Sequence, residues 1–321
     1  MKKIFLTGAA GFIGSHVAKA LLERGDEVIG IDNVNDYYDP QLKCDRLAWL
    51  SPYPNFHFYE GDVADPVFLD GVLDKHPGVT SICHLAAQAG VRYSLENPLA
   101  YIHSNVMGTT CIFEQARHRN IPQVVYASSS SVYGNSDSAP FVEDQNTDRP
   151  ISLYAATKKS CEVIAHTYHH LFGVQSTGLR FFTVYGPWGR PDMSPIKFAS
   201  LIWNDKEIDV YNHGKMQRDF TFIDDIARGV IASIDTPLAY EIINLGGSNV
   251  VELETFITTL EKHLGKQAKK NYMPLQPGDV LLTSADTTKA QELLQWKSQV
   301  SLDQGLAEFA AWFKTYYQSQ S

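Results

Sequence analysis

Thr7-Gly8-Ala9-Ala10-Gly11-Phe12-Ile13-Gly14 lies between a short apolar run, Ile4 to Thr7, and an amphipathic one, Ile13 to Arg24. The first run suits a buried strand, and the second a helix with Val17, Leu21 and Leu22 on one face. Between them Gly8 permits a tight turn, Gly11 lets the backbone approach a pyrophosphate, and Gly14 lets helix and strand pack closely. The helix start, at Phe12 and Ile13, offers N–H groups and a positive dipole end to phosphates. A glycine-rich turn that merely packs is the plain alternative. Against it, Asp32 follows the next apolar run, Val28 to Ile31, about twenty residues on, where an acid binds ribose hydroxyls. A carboxylate there repels a 2′-phosphate, and Asn33 rather than an arginine comes next. The expected cofactor is therefore NAD, not NADP.

Outward from this unit, apolar runs recur at Phe56 to Tyr59, Ser81 to Leu85 and Val124 to Ala127, with helical patterns at Leu99 to Arg117 and Tyr154 to Leu171. Strands alternating with helices imply an α/β fold with a doubly wound parallel sheet of Rossmann type. Asp62-Val63, after the third strand, either meets the adenine or caps the next helix. Leu85-Ala86-Ala87 ends the fourth strand beside the cofactor. The regularity fades after about Gly178. Thr183 to Met193 reads as loop, carrying Gly186, Pro187, Gly189 and Pro191, and a short strand pair is expected around Asn212-His213-Gly214. Ile242 to Leu245 reads as a strand returning to the main sheet. The expected division is a cofactor domain, 1–182 with 222–247 returning to it, and a smaller interleaved α/β substrate region, 183–221 and 248–321.

Hydrophobic residues make up 44% of the 321 and charged residues 20%, enough for an ordinary core without disulfide or structural metal. A net charge of −9 disfavours nucleic-acid and membrane-surface partners, which select basic patches. Cys44, Cys83, Cys111 and Cys161 are scattered singly, and neither they nor the histidines show zinc-site spacing, so no metal is expected. The apolar run after Met1 is too short for a signal peptide, and no stretch approaches the roughly 18 apolar residues of a membrane span. The expectation is a cytoplasmic protein.

Tyr154-Ala155-Ala156-Thr157-Lys158 opens a helical pattern, so Tyr154 and Lys158 share a face. A phenol with a pKa of about 10 is a poor base at neutral pH, but a nearby ammonium and a positive nicotinamide both favour phenolate. Tyr154 is thus a candidate general base. Such a pair is common by chance. Tyr126-Ala127-Ser128-Ser129-Ser130-Ser131-Val132-Tyr133-Gly134 strengthens it, because this serine run ends a buried strand, where open α/β sheets bind ligands.

Together these strings resemble the extended short-chain dehydrogenases/reductases over nearly the whole chain. Within that group the chain is similar to the NAD-dependent sugar-nucleotide epimerases and dehydratases, most closely the UDP-glucuronate 4-epimerases. The resemblance is carried by Asp32-Asn33-Val34-Asn35-Asp36-Tyr37-Tyr38-Asp39, Ala87-Gln88-Ala89-Gly90-Val91-Arg92-Tyr93-Ser94, and Arg180 to Met193. Arg218-Asp219-Phe220-Thr221-Phe222-Ile223-Asp224-Asp225-Ile226 and Gln276-Pro277-Gly278-Asp279 complete it. It implies a catalytic trio of Ser129, Tyr154 and Lys158, tightly held NAD and a UDP-sugar substrate. It also implies 4-epimerisation through a 4-keto sugar, and a homodimer formed by the helices around 99–117 and 154–171. Thr183 would face the sugar, Tyr211 the uracil, Arg218 the pyrophosphate and Asp279 a ribose. The bland readings are that Tyr211 fills core, Arg218 pairs with Asp219 and Asp279 is a turn acid.

The related 4,6-dehydratases carry an Asp-Glu pair directly after the catalytic serine or threonine, and the UDP-glucuronate decarboxylases an acid at the second of those positions. Here both are serines, Ser130 and Ser131. Neutral donors suit a carboxylated sugar, so Ser129, Ser130, Ser131 and Thr183 are expected to cradle its carboxylate, with Arg190 a second anion contact or an exposed loop arginine. The rivals are a 4-epimerase of UDP-glucose or UDP-N-acetylhexosamine, and a non-catalytic NAD-binding regulator; the intact Tyr154–Lys158 pair speaks against the latter.

Overall fold

The computed structural model describes residues 1–136, 138–248, 250–275 and 281–318. Six strands come first: β1 (Lys3–Thr7), β2 (Glu27–Asp32), β3 (Phe56–Glu60), β4 (Ser81–His84), β5 (Gln123–Ser129) and β6 (Gln175–Phe181). They are followed by β7 (Thr183–Tyr185), β8 (Glu207–Val210), β9 (Gln217–Phe222), β10 (Tyr240–Leu245), β11 (Val250–Glu252) and β12 (Lys269–Tyr272). The main sheet runs β3-β2-β1-β4-β5-β6-β10, every neighbour parallel. Its strands are apolar on both faces because helices cover both. Ile4 and Leu6 of β1 point into one helical layer and Phe5 into the other, all three fully buried. Ile242 to Leu245 does return to this sheet, as β10 beside β6. The strand order reverses between β1 and β4, which opens a crevice at their carboxyl ends.

The local readings need three corrections. The pattern from Leu99 to Arg117 is helical throughout, but Ile102–Met107 winds as a π-helix between Pro98–Tyr101 and Gly108–His118. The wide turn faces Asn105 inward, where its Oδ1 accepts from Gln88 N (2.8 Å) and its Nδ2 donates to Gln88 O (3.0 Å) and Thr157 Oγ1 (2.9 Å). The strands flanking Asn212-His213-Gly214 do not pair with each other: β8 pairs with β12, and β9 with β7 and β11. Asn212 (φ 48°) and His213 (φ 50°) are both left-handed and carry the chain from one small sheet into the next rather than back along the first. Thr183 to Tyr185 is strand rather than loop, held parallel to β9.

The carboxy-terminal part rests on the same core. The helix Leu302–Gln318 buries Leu306, Phe309, Ala310 and Phe313. Among the described residues, no helix is long and apolar enough to cross a membrane.

Candidate active site

The crevice at the carboxyl ends of β1, β4 and β5 holds a cleft of about 350 Å³, within the size range of small-molecule sites. Gly8, Gly11, Phe12, Ile13 and Gly14 form one wall, with Asp32, Asn33, Val63, Leu85, Ala86 and Ala87 around them. Two glycines are obligatory. Gly8 has φ +77°, and a Cβ on it would sit 2.8 Å from Ala86 N; a Cβ on Gly14 would collide with the carbonyl oxygen of Gly8. The turn therefore leaves bare backbone and a helix amino terminus facing the cleft, the cradle a dinucleotide pyrophosphate requires. Asp32 Oδ2 accepts from Ala10 N (3.1 Å) and Oδ1 from Val34 N (2.9 Å), while burial pushes its carboxyl above the ordinary range.

Behind this wall Thr7 Oγ1 accepts from Ala86 N (3.0 Å) and meets His84 Nδ1 (2.8 Å); His84 Nε2 meets Thr109 Oγ1 (3.1 Å). Burial pulls the His84 imidazole down to about 3, so it is neutral at physiological pH and ties the ends of β1 and β4 together. Asp62 is not part of the wall. Its Oδ1 accepts from Ala64 N (2.8 Å) and its Oδ2 meets His103 Nε2 (3.0 Å), and Asp65, not Asp62, caps the helix Pro66–Lys75.

The facing wall is made of side chains. Ser152 caps the helix Leu153–Phe172 by accepting from Ala155 N (3.1 Å), so Tyr154 and Lys158 fall in its first two turns. Both line the cleft, as do Ser129, Ser130, Ser131, Thr183 and Arg190. The buried Lys158 donates from Nζ to Ala127 O at 3.0 Å, which anchors its charge at the end of β5. Ser129 Oγ donates to Ser131 Oγ (3.1 Å) and accepts from Ser131 N (3.2 Å). Tyr154 packs edge-on against Tyr101, centroids 6.0 Å apart. One cleft thus brings Ser129, Tyr154 and Lys158 to face the glycine turn and the helix amino terminus.

Residues 4–246 match the profile of the NAD dependent epimerase/dehydratase family. The chain belongs to this family. A UDP-glucuronate 4-epimerase from Thermodesulfobacterium geofontis is 46% identical over 310 residues, 96% of this chain and 95% of the relative. UDP-glucuronate 4-epimerase 4 of Arabidopsis thaliana is 47% identical over 332 residues, 98% of this chain and 76% of the relative. The crystal structure of UDP-glucuronic acid 4-epimerase from Bacillus cereus, in complex with UDP-glucuronic acid and NAD, matches with a TM-score of 0.91 at 37% identity. That match covers 98% of this chain and 100% of the other. NAD is the cofactor of the family, and the bare turn at Gly8 and Gly14 with Asp32 at the end of β2 fits it.

Other residues that support the cleft were missed in the sequence. Arg46 is fully buried and uses all its donor groups on backbone and phenol oxygens. Nε and Nη2 reach Trp188 O (3.1 and 2.6 Å), Nη2 also Gly189 O (3.0 Å), and Nη1 reaches Ala10 O (3.0 Å) and Tyr38 Oη (2.7 Å). It ties the glycine turn to the loop that carries Arg190. Asp192 takes both Nε (3.1 Å) and Nη2 (2.6 Å) of Arg190 and accepts from the Tyr37 hydroxyl (3.1 Å). Under the serines, Glu162 accepts from Ser128 Oγ (2.7 Å) and pairs bidentately with Arg180 (2.8 and 2.9 Å), both charges buried. A charged residue inside an apolar strand, as Arg180 is in β6, was the available signal.

Tyr211 and Arg218 stand outside the cleft lining. Tyr211 is half-buried rather than core, with the Arg92 guanidinium 5.8 Å from its ring centre. Arg218 does not pair with Asp219: it donates to Gln217 O (2.9 Å) and Leu281 O (3.3 Å), while the buried Asp219 accepts from Ala285 N (2.8 Å) and Gly247 N. Burial raises the Asp219 carboxyl to about 6. Asp279 lies outside the described residues.

Proposed function

We propose that this protein interconverts UDP-glucuronate and UDP-galacturonate by NAD-dependent 4-epimerisation. The observation that carries this reading is the composition of the side-chain wall. Tyr154, Lys158 and Ser129 share the cleft with Ser130 and Ser131, where an acid would be needed for loss of water and would repel a carboxylate. Tyr154 takes the proton of the sugar 4-hydroxyl as general base, and Lys158, anchored on Ala127 O, lines the cleft with it. Ser129 donates to the same sugar oxygen as it becomes a carbonyl. NAD+, which the turn at Gly8 and Gly14 and the Asp32 carboxylate would hold, would supply reversible hydride chemistry at carbon 4. The 4-keto sugar turns over in the cleft, and Tyr154 returns the proton to the inverted centre.

Ser130, Ser131 and Thr183 hold the carboxylate as neutral donors, the single Ser129 proton being used on the 4-oxygen, and fix it so that carbon dioxide is not lost. Arg190, already paired with Asp192, also lines the cleft and serves as a second anion contact. Tyr211, Arg218 and Asp279 are assigned to uracil, pyrophosphate and ribose, in the substrate region formed by 183–221 and 248–321; 1–182 and 222–247 form the cofactor domain. The free thiols of all four cysteines suit a reducing, cytoplasmic setting. A homodimer through the helices around 99–117 and 154–171 would cover Leu99, Ile102, Met107, Val163 and Leu171, all exposed. A light-scattering mass of one chain at micromolar concentration would contradict that assembly.

The decisive experiment supplies UDP-glucuronate to the purified protein with no added cofactor. UDP-galacturonate is expected as product, with UDP-glucose turned over poorly. Ser130→Ala and Ser131→Ala should narrow the preference for the acidic sugar by roughly tenfold each, the worth of one hydrogen bond to a charge. An unchanged preference would remove the cradle.

A further inference from the structure

At the amino-terminal ends of β2 and β3, on the side of the sheet opposite the cleft, three side chains converge that are far apart in sequence. Glu27 opens β2, His57 is the second residue of β3, and His76 caps the carboxyl end of the helix Pro66–Lys75. We propose that Glu27, His57 and His76 bind a divalent transition-metal ion of the zinc class, with water completing the coordination.

Their ligand atoms all lie within 4.8 Å of one another. His57 Nε2 and His76 Nδ1 face the same oxygen, Glu27 Oε1, at 3.6 and 3.8 Å. These distances exceed a hydrogen bond. They stand only slightly above the roughly 3.3 Å that separates donors around a tetrahedral ion with bonds of about 2.0–2.1 Å. Small side-chain rotations close the difference. The second ring nitrogen of His76 meets the Tyr59 hydroxyl at 2.9 Å. When Nε2–H donates to that oxygen, the Nδ1 lone pair is left facing the site, the outer hydrogen bond that orients metal-binding histidines. Burial first, and His57 second, lower the His76 pKa, which favours the neutral form that ligates. Two imidazoles with one carboxylate select zinc, nickel, cobalt or copper over magnesium and calcium, which require oxygen donors.

The competing charge is Lys3, whose ammonium lies 3.2 Å from Glu27 Oε1 and 3.3 Å from Pro77 O. Its stem is partly exposed, so it can swing away when an ion arrives. This makes Lys3 the gatekeeper of the site and gives the proposal a variant that should strengthen binding. An ion here would join β3, the edge strand of the main sheet, to β2 and to the end of a helix. Its effect falls on stability, since the chemistry lies at the other ends of the strands.

The test uses the full chain without an affinity tag. Zinc is titrated calorimetrically, cobalt by its visible absorption, and thermal unfolding is followed with each. One saturable ion per chain is expected at micromolar zinc, with a raised melting temperature and no response to magnesium. His57→Gln and His76→Gln should each weaken binding roughly tenfold or more. Lys3→Gln should tighten it several-fold, and His103→Gln, which meets one carboxylate alone, should leave it unchanged. Absence of saturable zinc binding by the wild-type chain overturns the site. So does binding that survives both His57→Gln and His76→Gln, or that Lys3→Gln weakens.

Discussion

On the β1 side the cleft is made of backbone: a glycine turn, a helix amino terminus and the ends of β2 and β4. On the β5 side it is made of side chains, Ser129 to Ser131, Tyr154, Lys158 and Thr183, set on a strand end, a helix and a small second sheet. The first wall recognises shape and charge common to every dinucleotide. On the proposed function, the second decides which alcohol reacts and what becomes of the product. Substitutions in the backbone wall should therefore cost binding and folding together. Those in the side-chain wall should cost chemistry or selectivity and leave the fold intact.

Tyr154→Phe puts that division to its hardest test. Turnover should fall by about a thousandfold or more, the scale of general acid–base catalysis, while the melting temperature and NAD affinity stay near wild type. Comparable loss of NAD affinity would show that the walls are not separable. Arg46→Met addresses the strut between them. It strands Ala10 O, Trp188 O, Gly189 O and the Tyr38 hydroxyl, and a cost of about 3 kcal/mol in denaturant unfolding is expected, with KM for the UDP-sugar and NAD affinity worsening together. A change in only one of the two would mean that Arg46 serves a single wall. Gly14→Ala adds a Cβ against the Gly8 carbonyl, a clash with backbone that costs about 3 kcal/mol or more, and should weaken NAD binding without changing sugar preference.

Acid probes the backbone wall through His84. Its folded pKa is about 3 against 6.5 for the free imidazole. Between those values the unfolded chain binds a proton that the folded chain refuses. The stability owed to this residue is thus complete above pH 6.5 and is lost as the pH falls toward 3. The wild-type unfolding free energy should drop about 1.4 kcal/mol per pH unit more steeply than that of His84→Gln across this window. Equal slopes would mean that the imidazole is not held neutral between β1 and β4.

The same division explains what was legible. The strand, turn and helix of 4–24 follow from neighbours in the chain, since glycine spacing and apolar runs act over a few residues. Asp32 and the Tyr154–Lys158 pair need only a strand end and one helical turn. Thr183 to Met193 and the segment around Asn212 were read less well, because β7 and β8 are defined by β9 and β12, partners reached only after long crossovers. Arg46 was invisible for a related reason: the carbonyl oxygens it holds lie 36, 142 and 143 positions away, and nothing local distinguishes it from a surface arginine. The π-helical turn at Ile102–Met107 is set by Asn105 reaching Gln88 and Thr157, contacts between elements rather than a property of the helix itself. Glu27, His57 and His76 likewise meet only when β2, β3 and the following helix are assembled.

The central claim is that one cleft removes and restores the same hydrogen at sugar carbon 4. The direct measurement is conversion of UDP-glucuronate deuterated at that carbon, with the product analysed by NMR. UDP-galacturonate that retains the deuterium at carbon 4 is the expected result. Washout of the label into solvent, or product formed only when external NAD is reduced in equal amount, would contradict it.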